Sequence, residues 1–235
     1  MADNLERDIN TLLNNHGLEF SDLVDFCFKK NSHCIQMSKD DYNKYCELYD
    51  EVFSVPTTTK DKGNKLEDLV EFLFVKALPG IFEVVRNCRT SSNEIDLLIK
   101  WTLRANTSGV SKEFCDLGNT ILCECKNYIG KVDVTYIGKF ISLMSCSDTK
   151  LGIMVAWYGV TGKGWNAGLG LIKKIALAEK RYILIFTRED LESIYLKRDN
   201  LYNLLSVKLQ ALKQDVSYNK LITKHELVDK WSYDN

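Results

Sequence analysis

Ile121-Leu122-Cys123-Glu124-Cys125-Lys126-Asn127 is the stretch around which the rest of the chain is organised. It is a short apolar run ending in Glu-x-Lys. Read as a strand, its side chains alternate between faces. Ile121, Cys123 and Cys125 then share one face, and Glu124 and Lys126 the other. A carboxylate and an ammonium at the end of a buried strand are costly unless they pair or bind something. Upstream, Asn93-Glu94-Ile95-Asp96-Leu97-Leu98-Ile99 is a second apolar run with an acid inside it. If the two strands are neighbours, Asp96 and Glu124 converge on one point. Two carboxylates and a lysine there suit a hard divalent cation and a water that it activates. The competing reading is an exposed strand end with a surface ion pair.

The whole chain sets the bounds. Its 235 residues are enough for one substantial core and a small accessory region. The apolar share of 45% and charged share of 27% are ordinary for a globular protein. The net charge of −1 carries no global field toward a polyanion, but the distribution is uneven. Residues 1–55 sum to about −6 and residues 126–181 to about +6. The eight cysteines show no disulfide or CxxC spacing, and the three histidines are scattered, which argues against zinc. The N-terminus lacks signal-peptide architecture and no apolar run approaches a membrane span. The expectation is a cytoplasmic protein that makes no membrane contact.

Taken in order, residues 4–54 read as acidic helices, with Ser38 capping one that carries Tyr42, Tyr45, Tyr49 and Val52 as a stripe. They form an accessory region over 1–55 that docks on the core, dimerises or touches a partner. Residues 54–63 read as a linker. Leu66, Leu69, Val70, Leu73, Phe74 and Ala77 recur at helical spacing, with Glu67 on the border of that stripe. Residues 81–85 read as a strand and 87–93 as a turn, ahead of the Asp96 strand. Residues 102–118 are polar and turn-rich, which predicts an extended hairpin or surface loop. A helix over 134–144, a doubly buried strand over 151–158, a helix through 177 and a strand over 182–186 follow. From 190 onward the chain reads as helical and polar. This alternation predicts an α/β fold with a mixed central sheet flanked by helices.

In order and context, Gly63-x-x-Leu66-Glu67, Asn93-Glu94-Ile95-Asp96-Leu97 and Cys123-Glu124-Cys125-Lys126-Asn127 resemble the PD-(D/E)xK restriction-endonuclease-like superfamily, nearest its Mrr-like branch. The resemblance spans residues 62–190, leaving 1–55 and a helical extension over 191–235 outside. It implies a restriction-endonuclease-like core and a metal-dependent DNA endonuclease, with restriction or phage defence as its setting. Asp96 and Glu124 would hold Mg²⁺ or Mn²⁺, Glu67 would support the metal, and Lys126 would orient or activate the attacking water.

Double-stranded DNA is the partner this implies. Lys131 and Lys163, on glycine-flanked loops, are the residues read as holding its phosphates, among the basic side chains that follow the Glu-x-Lys strand. A homodimer or partner protein would use the N-terminal helices. Two other readings stay open: a nuclease for branched DNA or RNA, and a DNA-binding or assembly subunit that keeps the fold without cleaving.

Overall fold

The computed structural model describes residues 2–23, 37–54, 58–89, 94–107, 110–127, 129–162 and 167–214. Five strands form one sheet in sequence order: β1 (Phe82–Arg89), β2 (Glu94–Trp101), β3 (Thr120–Lys126), β4 (Leu151–Ala156) and β5 (Tyr182–Phe186). The pairs β1–β2 and β2–β3 are antiparallel, while β3–β4 and β4–β5 are parallel. Each parallel step needs a crossover, and helices supply it. α5 (Val134–Cys146) joins β3 to β4, and α6 (Gly168–Glu179) joins β4 to β5. The protein is thus a mixed α/β fold whose five-stranded mixed sheet is flanked by helices.

Alternation along β3 divides the core. Ile121, Cys123 and Cys125 face a large cluster, and Leu122 faces a smaller one. The large cluster contains Leu66, Leu69, Val70, Leu73 and Phe74 of α3 (Thr59–Lys76). The smaller contains Ile137, Phe140 and Met144 of α5 and Ile172 of α6. β4 is buried along its whole length because it meets helices on both sides. Gly152 on β4 has no room for a side chain: a Cβ there would lie 2.6 Å from Phe140 and 2.7 Å from Met144 Sδ. α5 therefore packs directly on the backbone of that strand.

Several sequence expectations need correction. Residues 102–107 and 110–118 do not form a hairpin. They contain α4 (Leu103–Thr107) and a 3₁₀ helix (Lys112–Leu117), and they bury Ala105, Val110, Phe114 and Leu117, while 108–109 lie outside the described residues. Polar residues on the outer side of these short turns mask four apolar anchors on the inner side. The 54–63 linker shortens too, because α3 begins at Thr59 under the Thr58 cap, whose side chain accepts from the Asp61 N–H. Of the turn expected over 87–93, residues 87–89 belong instead to β1, which continues to Arg89, and residues 90–93 lie outside the described residues.

Beyond residue 190 the helices are less polar than read. After α7 (Arg188–Tyr195), α8 (Leu201–Lys213) places Leu201, Leu204, Leu205 and Leu209 in the large cluster. Residues 215–235 lie outside the described residues. Phe114 packs with its ring 5.2 Å from Trp101 and 6.0 Å from Tyr202, bridging the 3₁₀ helix to β2 and α8. Phe114→Ala should cost about 3–5 kcal/mol, read as a lower urea midpoint at unchanged m-value.

The N-terminal helices differ from one another. α2 (Lys39–Phe53) is capped by Ser38 as its sequence predicts, with Ser38 Oγ accepting from the Asp41 N–H. It docks on the core. Tyr45 is fully buried and its hydroxyl donates to the Leu191 carbonyl at 2.9 Å, while Tyr42 donates to the Tyr195 carbonyl. α1 (Ala2–Asn15) instead leaves Ile9 and Leu12 exposed. No helix among the described residues is long and apolar enough to cross a membrane.

Candidate active site

The site begins where the β2–β3 ladder stops. The two strands pair from Lys100 and Thr120 to Leu97 and Cys123. One step further, Asp96 Oδ2 accepts the Cys125 N–H at 2.7 Å. A side-chain carboxylate thus takes the place of a main-chain acceptor, satisfying a donor that would otherwise be buried and unpaired. On the other side of β2 the regular register is interrupted at the same level. Arg86 faces Leu97 and Cys88 faces Ile95, and Asn87 between them adopts φ 51°. Positive φ is uncommon outside glycine, and asparagine tolerates it better than most residues.

Glu124 follows Cys123 on β3 and turns to the other face, two residues before Lys126. The carboxylate and the ammonium pair directly. Both are largely shielded, their side chains retaining 18% and 22% of their exposure. Burial pushes the Glu124 carboxyl up, Lys126 pulls it down, and the neighbouring charges of Asp96 and Glu67 raise it again; the result is an elevated pKa. Burial lowers the Lys126 pKa, but Glu124 and Asp96 more than offset this, so the net shift is upward. Lys126 is therefore an ammonium at neutral pH.

Glu67 comes from α3. Its Oε2 accepts from Arg86 Nη2 at 3.1 Å, and the same guanidinium binds Asp68 and, at 3.5 Å, Glu71. Glu67 also lines an open cavity of about 550 Å³ with Lys60 and Asn64 of α3, Asn87 of β1, and Glu94 and Asp96 of β2. Asp96 links this cavity to the Glu124–Lys126 pair, which does not line it. Sequence reasoning missed Arg86, although Glu67, Asp68 and Glu71 fall on one helix face and call for a cation opposite. It also missed Asn127, which is buried, donates through Nδ2 to the Lys62 carbonyl at 3.1 Å, and leaves Oδ1 unpartnered.

The donor set is chemically suited to a hard divalent cation. It offers carboxylate oxygens in a partly buried setting, where burial first, and the charges of Asp96 and Glu67 after it, raise Glu124 against the pull of Lys126. Each of Asp96, Glu124 and Glu67 uses one oxygen in the bonds above. Among the described residues, however, no three His, Cys, Asp or Glu side chains are already grouped as a metal centre. Of the two phosphate candidates, Lys131 lies exposed on the loop after β3. Lys163 lies outside the described residues.

Cys123 and Cys125 are buried on the face away from Glu124, as alternation requires. A hydrogen bond with Cys123, together with burial, pushes the Cys125 thiol well up. Native protein treated with a thiol reagent should be labelled at the exposed Cys115 and Cys146 and spared at Cys123 and Cys125. Rapid modification of either strand cysteine would reverse the assignment of faces. Comparison with known proteins brings no match: no family model, no curated protein and no solved structure is similar to this chain.

Proposed function

We propose that this protein is a metal-dependent DNA endonuclease of the restriction-endonuclease-like type, hydrolysing phosphodiester bonds at the end of β3. One observation carries the reading. A carboxylate inserted where two strands part, Asp96, stands beside a shielded Glu124–Lys126 pair whose carboxyl is raised by burial and by neighbouring acids. Carboxylates kept close in a partly dry site are costly for stability and useful for holding a cation.

Asp96 and Glu124 are the residues that would hold Mg²⁺ or Mn²⁺, with Glu67 contributing the oxygen that Arg86 leaves free. The cation supplies charge neutralisation on the phosphate and a water of lowered pKa. Lys126, as an ammonium, cannot accept a proton. It acts by orienting the water and by meeting negative charge as it builds on the phosphate oxygens. Arg86, from β1, holds the Glu67 carboxylate of α3 in place.

The test is nicking of supercoiled plasmid by the purified full chain with Mg²⁺ or Mn²⁺ against a chelator control. Cation-dependent conversion to open circles is expected. Binding without any cation-dependent cleavage would leave the non-cleaving DNA-binding subunit as the better account.

A further inference from the structure

A second cavity, of about 320 Å³, opens between the start of α2, the end of α3 and the turn that joins α7 to α8. Ala77, Ile194 and Leu201 give it an apolar wall, and Lys197, Asp199 and Asn200 give it a polar one. It is remote from the candidate active site. Ala77 ends α3 ten residues beyond Glu67, about 15 Å along the helix axis.

Two features of the turn point to a ligand. The first is Lys197. α7 closes in the Schellman pattern, with the Lys197 N–H donating to the Ile194 carbonyl at 2.9 Å and the Arg198 N–H to the Ser193 carbonyl at 2.8 Å. The left-handed residue of this motif is usually glycine. Here it is lysine, at φ 54°. A cation is favourable anywhere in the last turn of a helix, so the dipole alone does not call for one at the left-handed position. From there its Nζ lies 4.2 Å from the ring centroid of Tyr42, which also lines the cavity.

The second is the neighbouring pair Asp199 and Asn200. Asn200 is only 6% exposed. Its Oδ1 caps α8 by accepting the Asn203 N–H at 2.8 Å, and its Nδ2 has no partner. A buried donor without an acceptor is destabilising. Asp199 accepts the Asn200 N–H at 2.8 Å. Its carboxyl is raised by burial, against the pull of Asn200, Asn203 and Lys208. Lys208 is already held by Asp190 at 2.9 Å, and among the described residues neither Asp199 nor Lys197 belongs to an ion pair.

We infer that this cavity binds a free apolar α-amino acid. Asp199 takes the ligand's ammonium, Lys197 and the Asn200 amide take its carboxylate, and Ala77, Ile194 and Leu201 receive its side chain. Charge and size both favour this occupant. An unpaired acid beside an unpaired cation and an unused donor complements a zwitterion better than it does a lone anion or a lone cation. The volume sits at the lower end of the roughly 300–1,000 Å³ of small-molecule sites, which suits a compact molecule and not a polymer. The site stands apart from the endonuclease reading and does not depend on it.

The experiment titrates the full chain with L-leucine, L-methionine and L-phenylalanine, and with two half-ligands: isopentylamine, which is leucine without its carboxylate, and isocaproate, which is leucine without its ammonium. Binding is read by calorimetry and by Tm. At least one amino acid should bind and raise Tm, because a ligand of the native state alone stabilises it. If leucine is bound, each half-ligand should bind at least about tenfold more weakly, the loss of one charged contact.

Two variants separate binding from structure. Lys197→Gly supplies the residue that the turn favours, so it should melt no lower than the wild type while losing about tenfold in amino-acid affinity. Asn200→Ser keeps a capping oxygen and removes the unpartnered Nδ2, so it should melt near the wild type and bind more weakly. Failure of all three amino acids to bind, a half-ligand that binds as tightly as leucine, or unchanged affinity in both variants would each overturn the proposal.

Discussion

Asp96→Asn should abolish cation-dependent nicking while leaving the fold near wild-type stability, and Asp96→Ala should lose both. The two variants separate the chemistry from the structure. Asp96 Oδ2 accepts the Cys125 N–H, and an asparagine keeps an amide oxygen for that bond. Alanine removes the acceptor and leaves a buried donor unpaired, a cost of about 1–3 kcal/mol. Both variants remove one negative charge and one cation ligand from the proposed site. Loss of a transition-state stabiliser of this kind lowers the rate by about 10²–10³, and loss of the ion's own ligand by more. The expected pattern is therefore two inactive proteins, of which one unfolds at clearly lower urea. Cleavage by Asp96→Asn at the wild-type rate would remove Asp96 from the chemistry and leave it a structural pin.

Lys126→Met should reduce cleavage by about 10²–10³ and keep cation binding, since an ammonium is not a ligand. The substitution preserves length and removes the charge. Its second effect is on pH. Glu124 already has a raised pKa with Lys126 beside it, because burial, Asp96 and Glu67 outweigh the pairing. Without Lys126 the carboxyl rises further.

The sign of the stability change follows from which state binds the proton more tightly. Between the unfolded and the raised folded pKa of Glu124, the folded state holds more protons, so stability falls as pH rises through that window. In Lys126→Met the window extends further toward neutrality. The variant should therefore lose stability relative to wild type on going from acidic to neutral pH. Lys126 itself, with its pKa raised, contributes stability that is full below its unfolded pKa and disappears only as alkaline pH passes the folded one. Cation affinity should likewise weaken on acidification in both proteins, and from a higher pH in the variant. A variant that cleaves at the wild-type rate would refute the role given to Lys126.

Much of this fold is legible in the sequence because strand periodicity is short and strict. Apolar positions 121, 123 and 125 against Glu124 and Lys126 give the two faces of β3. The unbroken run from Leu151 marks a strand covered on both sides. The α3 stripe is equally plain. What escapes is anything set by contacts distant in sequence.

The 3₁₀ helix over Lys112–Leu117 exists because Phe114 finds Trp101 and Tyr202, neither of which is local. The leucines of α8 do stand at helical spacing, and only the surrounding polar residues disguise them. At the candidate site, strand alternation groups Glu124 with Lys126. The bond from Cys125 to Asp96 and the clasp of Arg86 on Glu67 depend on where two ladders end and on the register of β1, which no periodicity encodes.

The contact between Asp96 and the Cys125 amide gives the protein a built-in gauge. A peptide hydrogen on the central strand is held by a side-chain carboxylate, so its rate of deuterium uptake and its nitrogen resonance register where that carboxylate is held. An ion that drew Asp96 toward itself would loosen or tighten the amide without any change in the surrounding ladder. Binding of the proposed cation could therefore be tested at a single backbone position in a protein that is cleaving nothing.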